Sequence, residues 1–215
     1  MTRPSVIKIL AFDPGLSTSG WNVSTYDINS TMLRVLKFGM LLPNKGIDTP
    51  ESHAEYVKYG PRLITLQALR TQVRELLNTY QPDVVVSEDA FYNPKRPSAY
   101  MALIQWLTAV DILLHDEYNR VLFKLAPKAS KQVVSGFGGA DKLGVRYAVL
   151  HRDDIEFKSK NVEDGLTEHI CDSIGIAYTF AHRVLPALTD LWEFGYVAQT
   201  GKETPTPEQL KNQYS

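Results

Sequence analysis

The N-terminal part of the chain alternates apolar runs with short polar turns, a pattern typical of strands that follow one another closely. Residues 6–12 form an apolar run that only Lys8 interrupts, and Asp13-Pro-Gly ends it at a turn. Residues 20–26 and 32–42 show alternation and carry β-branched or large apolar side chains. The pattern therefore predicts three sequential antiparallel strands.

Helical and strand patterns alternate through the rest of the chain. They predict helices over residues 61–80, 98–118, 127–134, from Asp141 onward and over 162–182, and strands over residues 83–88 and 120–126. Parallel strands joined through helices make right-handed crossovers. We therefore expect an α/β fold with a mixed five-stranded sheet, three antiparallel strands followed by parallel βαβ units, flanked by helices.

Two segments fall outside this regular pattern. Residues 43–60 are polar, contain two prolines and two glycines, and are interpreted as an inserted loop with room for a short helix. Residues 201–215 are interpreted as a loosely packed C-terminal tail. Residues 1–200, which include the inserted loop, have a length compatible with one domain.

The helix predicted over residues 98–118 is apolar nearly all round. Such a helix lies at the centre of a core or packs on a partner. No stretch of the chain approaches the ~20 uninterrupted apolar residues that a bilayer span requires. Lys8 and Asp13 interrupt the N-terminal apolar run, so we expect neither a signal peptide nor a membrane-bound protein.

Composition narrows the classes of protein that fit this chain. Hydrophobic residues make up 44% and charged residues 22%, as in an ordinary soluble domain. The formal net charge of −1 does not point to nucleic acid, but residues 124–160 contain eight Lys or Arg against four acids. A DNA-binding surface would therefore have to be local. The single cysteine, Cys171, excludes an internal disulfide and fits a reducing cytoplasm.

Acidic side chains stand at the ends of two predicted buried strands. Asp13 ends the first strand and Glu88 ends a later one, where a carboxylate is costly unless it is paired or bound to a metal. His169 and Asp172 are three residues apart on one face of the last helix. Taken singly, each acid also fits a cap or turn, and the histidine and aspartate also fit a solvated pair. Together they form the oxygen-rich set that Mg²⁺ prefers.

Four motifs in this order resemble those of one family, the RuvC Holliday junction resolvases of the ribonuclease H-like superfamily. They are Asp13-Pro-Gly-Leu-Ser-Thr-Ser-Gly20, the segment 82–88 followed by Phe91, the segment 131–142 with a lysine at each end, and His169-x-x-Asp172. The resemblance covers residues 7–182. Residues 43–60 and the chain beyond about Val184 have no assigned counterpart.

The resemblance implies a metal-dependent endonuclease that resolves Holliday junctions and related branched DNA by paired symmetric nicks, leaving 5′-phosphate ends. The implied ligands of two Mg²⁺ ions astride the scissile phosphate are Asp13, Glu88, His169 and Asp172. Because imidazole is a softer ligand than carboxylate, His169 favours Mn²⁺ as a substitute. By the same resemblance, Lys142 would be a catalytic residue near the scissile phosphate and Lys131 would hold the DNA backbone.

The loop that follows Glu88 is a candidate DNA-binding element. Phe91 and Tyr92 lie there between polar residues and prolines, where they are suited to stacking on an unpaired base at a branch point. Lys95 and Arg96 would then contact the adjacent phosphates. The alternative is that both aromatic rings fold back onto the sheet.

A four-way junction has two-fold symmetry, which favours a C2 homodimer with one site in each subunit. The apolar helix at 98–118 is the candidate interface.

Three other functions stay open at this point. The chain could be a nuclease of the same fold that acts on flaps or structured RNA, or a junction-binding protein without activity. Asp13-Pro-Gly with Gly20 also resembles the first phosphate loop of actin-like ATPases. However, 215 residues leave no room for the second subdomain that those proteins need.

Overall fold

The computed structural model describes residues 5–43, 50–159 and 165–188. The strands are β1 Val6–Asp13, β2 Ser19–Asp27, β3 Met32–Leu41, β4 Val84–Glu88, β5 Leu122–Leu125 and β6 Ile155–Phe157. The helices are α1 Pro50–Tyr59, α2 Pro61–Tyr80, α3 Pro97–Tyr118, α4 Pro127–Ser135, α5 Lys142–His151 and α6 Glu168–Thr179, which continues as a π-helical turn over Phe180–Val184. The α/β class predicted from the sequence is confirmed.

One mixed sheet with the strand order β5-β4-β1-β2-β3-β6 organises the molecule. β1 pairs with β2, and β2 with β3, in antiparallel fashion, as predicted. β1 also pairs with β4, and β4 with β5, in parallel. β1 therefore lies inside the sheet, with a neighbour on either side.

Helices cover both faces of the sheet. On one face, Ile9 and Ala11 of β1 pack with side chains from α4, α5 and α6. On the other face, Leu10 and Phe12 of β1 pack with side chains from α2 and α3. This two-sided burial explains why the first strand is a continuous apolar run rather than an alternating one.

Within the described residues the sheet has six strands, so the prediction of five was wrong. The additional strand, β6, is three residues long and pairs in parallel with β3 at the edge of the sheet, with Leu33 opposite Ile155. A strand this short carries no periodicity that sequence reasoning can detect. Its place at the sheet edge leaves the predicted strands in their expected arrangement.

The inserted segment and the tail are described only in part. Residues 50–59 of the segment at 43–60 form α1, the short helix for which the sequence left room, whereas residues 44–49 lie outside the described residues. The predicted tail at 201–215 also lies outside them, as do residues 189–200. The domain limits of 1–200 therefore stay a prediction.

Among the described residues, α3 is the one helix that is long and apolar enough to span a membrane, judged by length and composition alone. In the fold, Trp106, Val110 and Leu113 of this helix are fully buried beneath the sheet. On its other side, Met101 and Ile112 are exposed. Its apolar character therefore belongs partly to the core and partly to an uncovered surface, the two roles that its sequence allowed.

Candidate active site

The two acids that end predicted strands lie next to each other in the sheet. β1 and β4 are parallel neighbours, and Phe12 is opposite Ser87, so Asp13 and Glu88 follow at adjacent strand ends. Because side chains alternate between the two faces of a strand, Asp13 shares a face with Ala11. That is the face covered by α4, α5 and α6. The carboxyl ends of parallel strands are the usual location of functional groups in α/β sheets.

Helix α6 brings the remaining two candidate residues to the same place. Thr167 caps the helix by accepting a hydrogen bond from the backbone of Ile170, and His169 lies in the first turn. Nδ1 of His169 is 2.5 Å from Oδ2 of Asp13, although 156 residues separate the two in sequence. The fold thus brings His169 of α6 into contact with Asp13 at the end of β1.

Gly20 permits this close approach of helix and sheet. It is the partner of Asp13 in the β1–β2 pair. A Cβ atom at this position would lie 2.0 Å from the carbonyl oxygen of His169 and 2.8 Å from the backbone nitrogen of Ile170. Backbone atoms cannot rotate away as a flexible side chain can. A glycine is therefore needed here if the first turn of α6 is to rest on the sheet beside Asp13.

The turn after Asp13 is closed by a serine that sequence reasoning did not single out. Ser19 Oγ accepts a hydrogen bond from the backbone N–H of Gly15 and donates one to its carbonyl oxygen, at 3.1 and 2.6 Å. The indole Nε1 of Trp106 donates to the same hydroxyl at 2.9 Å. The turn is thereby tied to α3, which fixes how the chain leaves Asp13. The only signal in the sequence was the four-residue spacing of Gly15 and Ser19 within the motif.

The carboxylates influence one another electrostatically. Burial, followed by the charges of Asp13 and Asp172, raises the pKa of Glu88 to about 8. Burial and the charge of Asp13 raise the pKa of Asp172 to about 6. The ammonium of Lys131 opposes both shifts. The three acids therefore form one partly buried cluster whose mutual repulsion is relieved by proton uptake or by a nearby cation.

The pKa of His169 is raised as well, but for an imidazole this shift favours the charged form. Its hydrogen bond to Asp13 raises the pKa of His169, with burial acting against it and the Asp13 charge adding to it. Asp13 is almost buried, with a relative exposure of 9%. In this arrangement the imidazole is hydrogen-bonded to one carboxylate oxygen of Asp13.

The donor set fits a divalent cation by its chemistry, because carboxylate oxygens and one imidazole nitrogen are typical ligands of Mg²⁺ and Mn²⁺. Within the part of the chain that the structure describes, no three His, Cys, Asp or Glu side chains already have the spacing of a metal-binding group. Oδ2 of Asp13 is instead engaged with His169. A cation bound by both residues would replace that hydrogen bond.

Two lysines reach the cluster from α4 and α5. Lys131 lines a small cavity together with Glu88 and Asp172, so it faces the carboxylates. Lys142 is the first residue of α5 and forms an ion pair with Glu168. That hydrogen bond, and more weakly the charges of Asp172 and Asp13, raises the pKa of Lys142. Both side chains of this ion pair are partly exposed, so it lies at the surface beside the cluster.

The loop after Glu88 projects its aromatic side chains outward. Phe91 is 63% exposed and Tyr92 is 56% exposed, so the alternative in which both rings fold back onto the sheet is wrong. The ring of Tyr92 contacts that of Tyr100 in α3 edge to face, with centroids 5.3 Å apart. Lys95 and Arg96 are also exposed, just before α3 begins. The loop thus presents two rings and two cations beside the acidic cluster.

Comparisons with known proteins point to one family. A family model described as crossover junction endodeoxyribonuclease RuvC matches residues 9–180. A protein of that name from Alkaliphilus metalliredigens is 24% identical over 174 residues, which are 81% of this chain and 92% of the relative. Another, from Alkaliphilus oremlandii, is 28% identical over 166 residues, 76% of this chain and 90% of the relative.

Solved structures share the fold. The RuvC structure from Thermus thermophilus has a TM-score of 0.63 at 21% sequence identity and covers 84% of this chain and 97% of that one. A structure of T. thermophilus RuvC in complex with Holliday junction substrate has a TM-score of 0.58 at 18% identity, covering 84% and 96%. At these identities the likeness establishes the fold alone. Because the family model spans most of its length, the chain belongs to the RuvC family of crossover junction endodeoxyribonucleases.

Proposed function

We propose that this protein is a metal-dependent endodeoxyribonuclease that resolves four-way DNA junctions by paired symmetric nicks. The observation that carries the proposal is the convergence of Asp13, Glu88, His169 and Asp172 from two strand ends and one helix. The family match supports the reaction class. The relative from T. thermophilus, which was solved in complex with a Holliday junction, supports the substrate.

The acidic cluster would hold two divalent cations through Asp13, Glu88, His169 and Asp172. When bound, such ions lower the pKa of an attacking water and stabilise the leaving oxygen of the phosphodiester. The charge of Asp13 acts on both Glu88 and Asp172, so these three carboxylates would hold the ions together. We propose Mg²⁺ as the usual ion, since most of these ligands are carboxylates. The imidazole of His169 makes Mn²⁺ an effective substitute.

Two lysines of this chain would act on the scissile phosphate. Lys142, held above the first turn of α6 by Glu168, is close enough to Asp172 and Asp13 for their charges to raise its pKa. An ammonium in this position would stabilise the charge that develops on the phosphate oxygens. Lys131, which lines one small cavity with the partly buried carboxylates of Glu88 and Asp172, would hold the DNA backbone where the strand enters the cluster.

The loop after Glu88 would select branched DNA. Exposed rings of Phe91 and Tyr92 offer faces on which an unpaired base stacks, worth ~1–3 kcal/mol for each base. Lys95 and Arg96 would contact the neighbouring phosphates, which makes binding dependent on salt. A base is free to stack at a branch point but not within a regular duplex, so this loop favours junctions.

A second copy of this chain is the proposed partner. Between α2 and α3 lies a groove of about 350 Å³, lined chiefly by apolar side chains that include Leu63, Leu66 and Ile112. Two polar atoms in that lining, Arg70 Nε and Gln105 Oε1, are buried without a hydrogen-bond partner among the described residues. Two-fold packing on this face would cover the apolar groove and present two sites to a two-fold symmetric junction. The buried free thiol of Cys171 fits the reducing cytoplasm that we propose as the location.

Cleavage of labelled DNA tests the proposal. A four-way junction, a flap, a duplex and an RNA hybrid would each be incubated with Mg²⁺, Mn²⁺ or a chelator. We expect paired nicks in the junction with either ion and none with the chelator. Asp13→Asn should lower cleavage by more than about 1000-fold, because a removed ligand charge weakens metal binding, and should leave junction binding largely intact. Preferential cleavage of the flap or the RNA would favour that alternative, and near wild-type cleavage by Asp13→Asn would refute the metal site.

A further inference from the structure

A buried serine under the acidic cluster lacks the contacts that such a residue normally has. Ser130 of α4 is 5% exposed, and its Oγ has no hydrogen-bond partner among the described residues. Ser135 of the same helix shows the usual alternative, since its Oγ donates to the carbonyl of Lys131 at 2.6 Å. A buried hydroxyl without a partner is costly. The hydroxyl of Ser130 is therefore available to a partner outside its own helix.

The surroundings of Ser130 identify that partner. Ser130 lines a small cavity of about 10 Å³ together with two partly buried acids of the cluster, Glu88 and Asp172. Both pKa values are raised by burial and neighbouring charge, with no hydrogen bond to offset the rise. Apart from the ammonium of Lys131, the hydroxyl of Ser130 is the side-chain donor in that lining.

The size of the cavity determines how the hydroxyl reaches the acids. A volume of about 10 Å³ is close to the smallest that admits one water, and a buried water needs two to four polar partners. Ser130, Glu88 and Asp172 supply three. Van der Waals contact between α4 and α6 keeps the cavity narrow: a Cβ atom on Gly175 would lie 3.3 Å from Val134. The backbone of Ser130 is also held, because Thr179 donates to its carbonyl oxygen at 3.4 Å.

We propose that Ser130 is a positioning residue for the metal ligands Glu88 and Asp172, to which its hydroxyl donates through one bridging water. The inference rests on the proposed function, because it assigns those carboxylates to a cation. A donor on the inner side of a carboxylate fixes its rotation and leaves its other oxygen directed at the ion. Outer partners of this kind change metal affinity by roughly 10–100-fold.

The test compares Mn²⁺ binding by three full-length proteins in the absence of DNA, measured by calorimetry or by the electron paramagnetic resonance signal of free Mn²⁺. Ser130→Ala should weaken Mn²⁺ binding about 10-fold, whereas Ser135→Ala, the same change in the same helix, should bind as the wild type does. Alanine favours helix and removes a hydroxyl that has no protein partner, so Ser130→Ala should fold with an unchanged or higher melting temperature. If Ser130 had only a structural role, Ser130→Ala would not change the affinity for Mn²⁺.

Cleavage kinetics supply a second readout. If Ser130 acts through the ligands, saturating Mn²⁺ should restore the maximal rate of Ser130→Ala, and the loss should appear only in the metal concentration required for half of that rate. Wild-type Mn²⁺ affinity in a folded Ser130→Ala protein would overturn the inference while leaving the metal site intact. Failure of the wild-type protein itself to bind Mn²⁺ would instead overturn the proposed function.

Discussion

The most specific prediction concerns Gly20, because the backbone leaves no room for any side chain there. In Gly20→Ala the new Cβ would lie 2.0 Å from the carbonyl oxygen of His169, and ordinary contact begins at 3.4 Å. The first turn of α6 must therefore move by roughly 1.4 Å, the difference between those distances. The hydrogen bond from His169 Nδ1 to Asp13, at 2.5 Å, cannot survive such a displacement unchanged.

The expected cost is larger for activity than for stability. Overpacking of a fitted site typically costs about 1–3 kcal/mol of unfolding free energy. A misplacement of about 1 Å among catalytic groups can lower the rate by about 100-fold. We therefore expect Gly20→Ala to remain folded at moderate temperature but to cleave a four-way junction about 100-fold more slowly under single-turnover conditions.

Gly39→Ala is the matched control. It is also a strand glycine, and a Cβ there would lie 2.9 Å from Trp21, but that contact is with a side chain that packs on the face covered by α2. Its melting temperature should fall while its cleavage rate stays within a few-fold of the wild type. Equal losses of cleavage in the two variants, or a wild-type rate in Gly20→Ala, would refute the reasoning from the α6 contact.

Three further predictions follow from the cluster, the loop and the groove. Because the folded pKa of Glu88 is raised from 4.5 to about 8, the stability that this group contributes is lost as pH rises through that window. The melting temperature of the metal-free protein should therefore fall as the pH rises from about 4.5 to about 8. Glu88→Gln should make this fall shallower, and an equally steep fall in that variant would contradict the burial assigned to Glu88. Phe91→Ala should weaken junction binding about 10-fold while duplex binding changes little, as measured by fluorescence anisotropy, whereas equal losses would indicate a packing role. Ile112→Glu, in the groove between α2 and α3, should convert a dimer to a monomer in sedimentation experiments, and a wild type that is already monomeric would exclude that interface.

The central strands of the sheet were predictable from the sequence, because a strand that is buried on both faces is a continuous apolar run. The run before Asp13 is continuous rather than alternating, and the acid at its end is unusual enough to stand out. The same reasoning applied to Glu88, since β4 is covered by helices on both sides. Strand ends that carry acids are thus readable from pattern alone.

The contacts that complete the site were not readable in this way. Ser19, Trp106 and Ser130 are ordinary residue types, and what distinguishes each is a partner 4 to 87 residues away or the lack of one. The ion pair between Glu168 and Lys142 likewise depends on how α5 and α6 lie together. Side-chain pairing across distant elements is a property of packing, and no local periodicity encodes it.

The central claim is that Asp13, Glu88, His169 and Asp172 share bound metal. Anomalous diffraction from crystals grown with Mn²⁺ and a junction that cannot be cut would test it most directly. The account predicts two anomalous peaks within bonding distance of these side chains, with Asp13 no longer hydrogen-bonded to His169. Peaks located elsewhere, or an ordered cluster without any peak at saturating Mn²⁺, would contradict it.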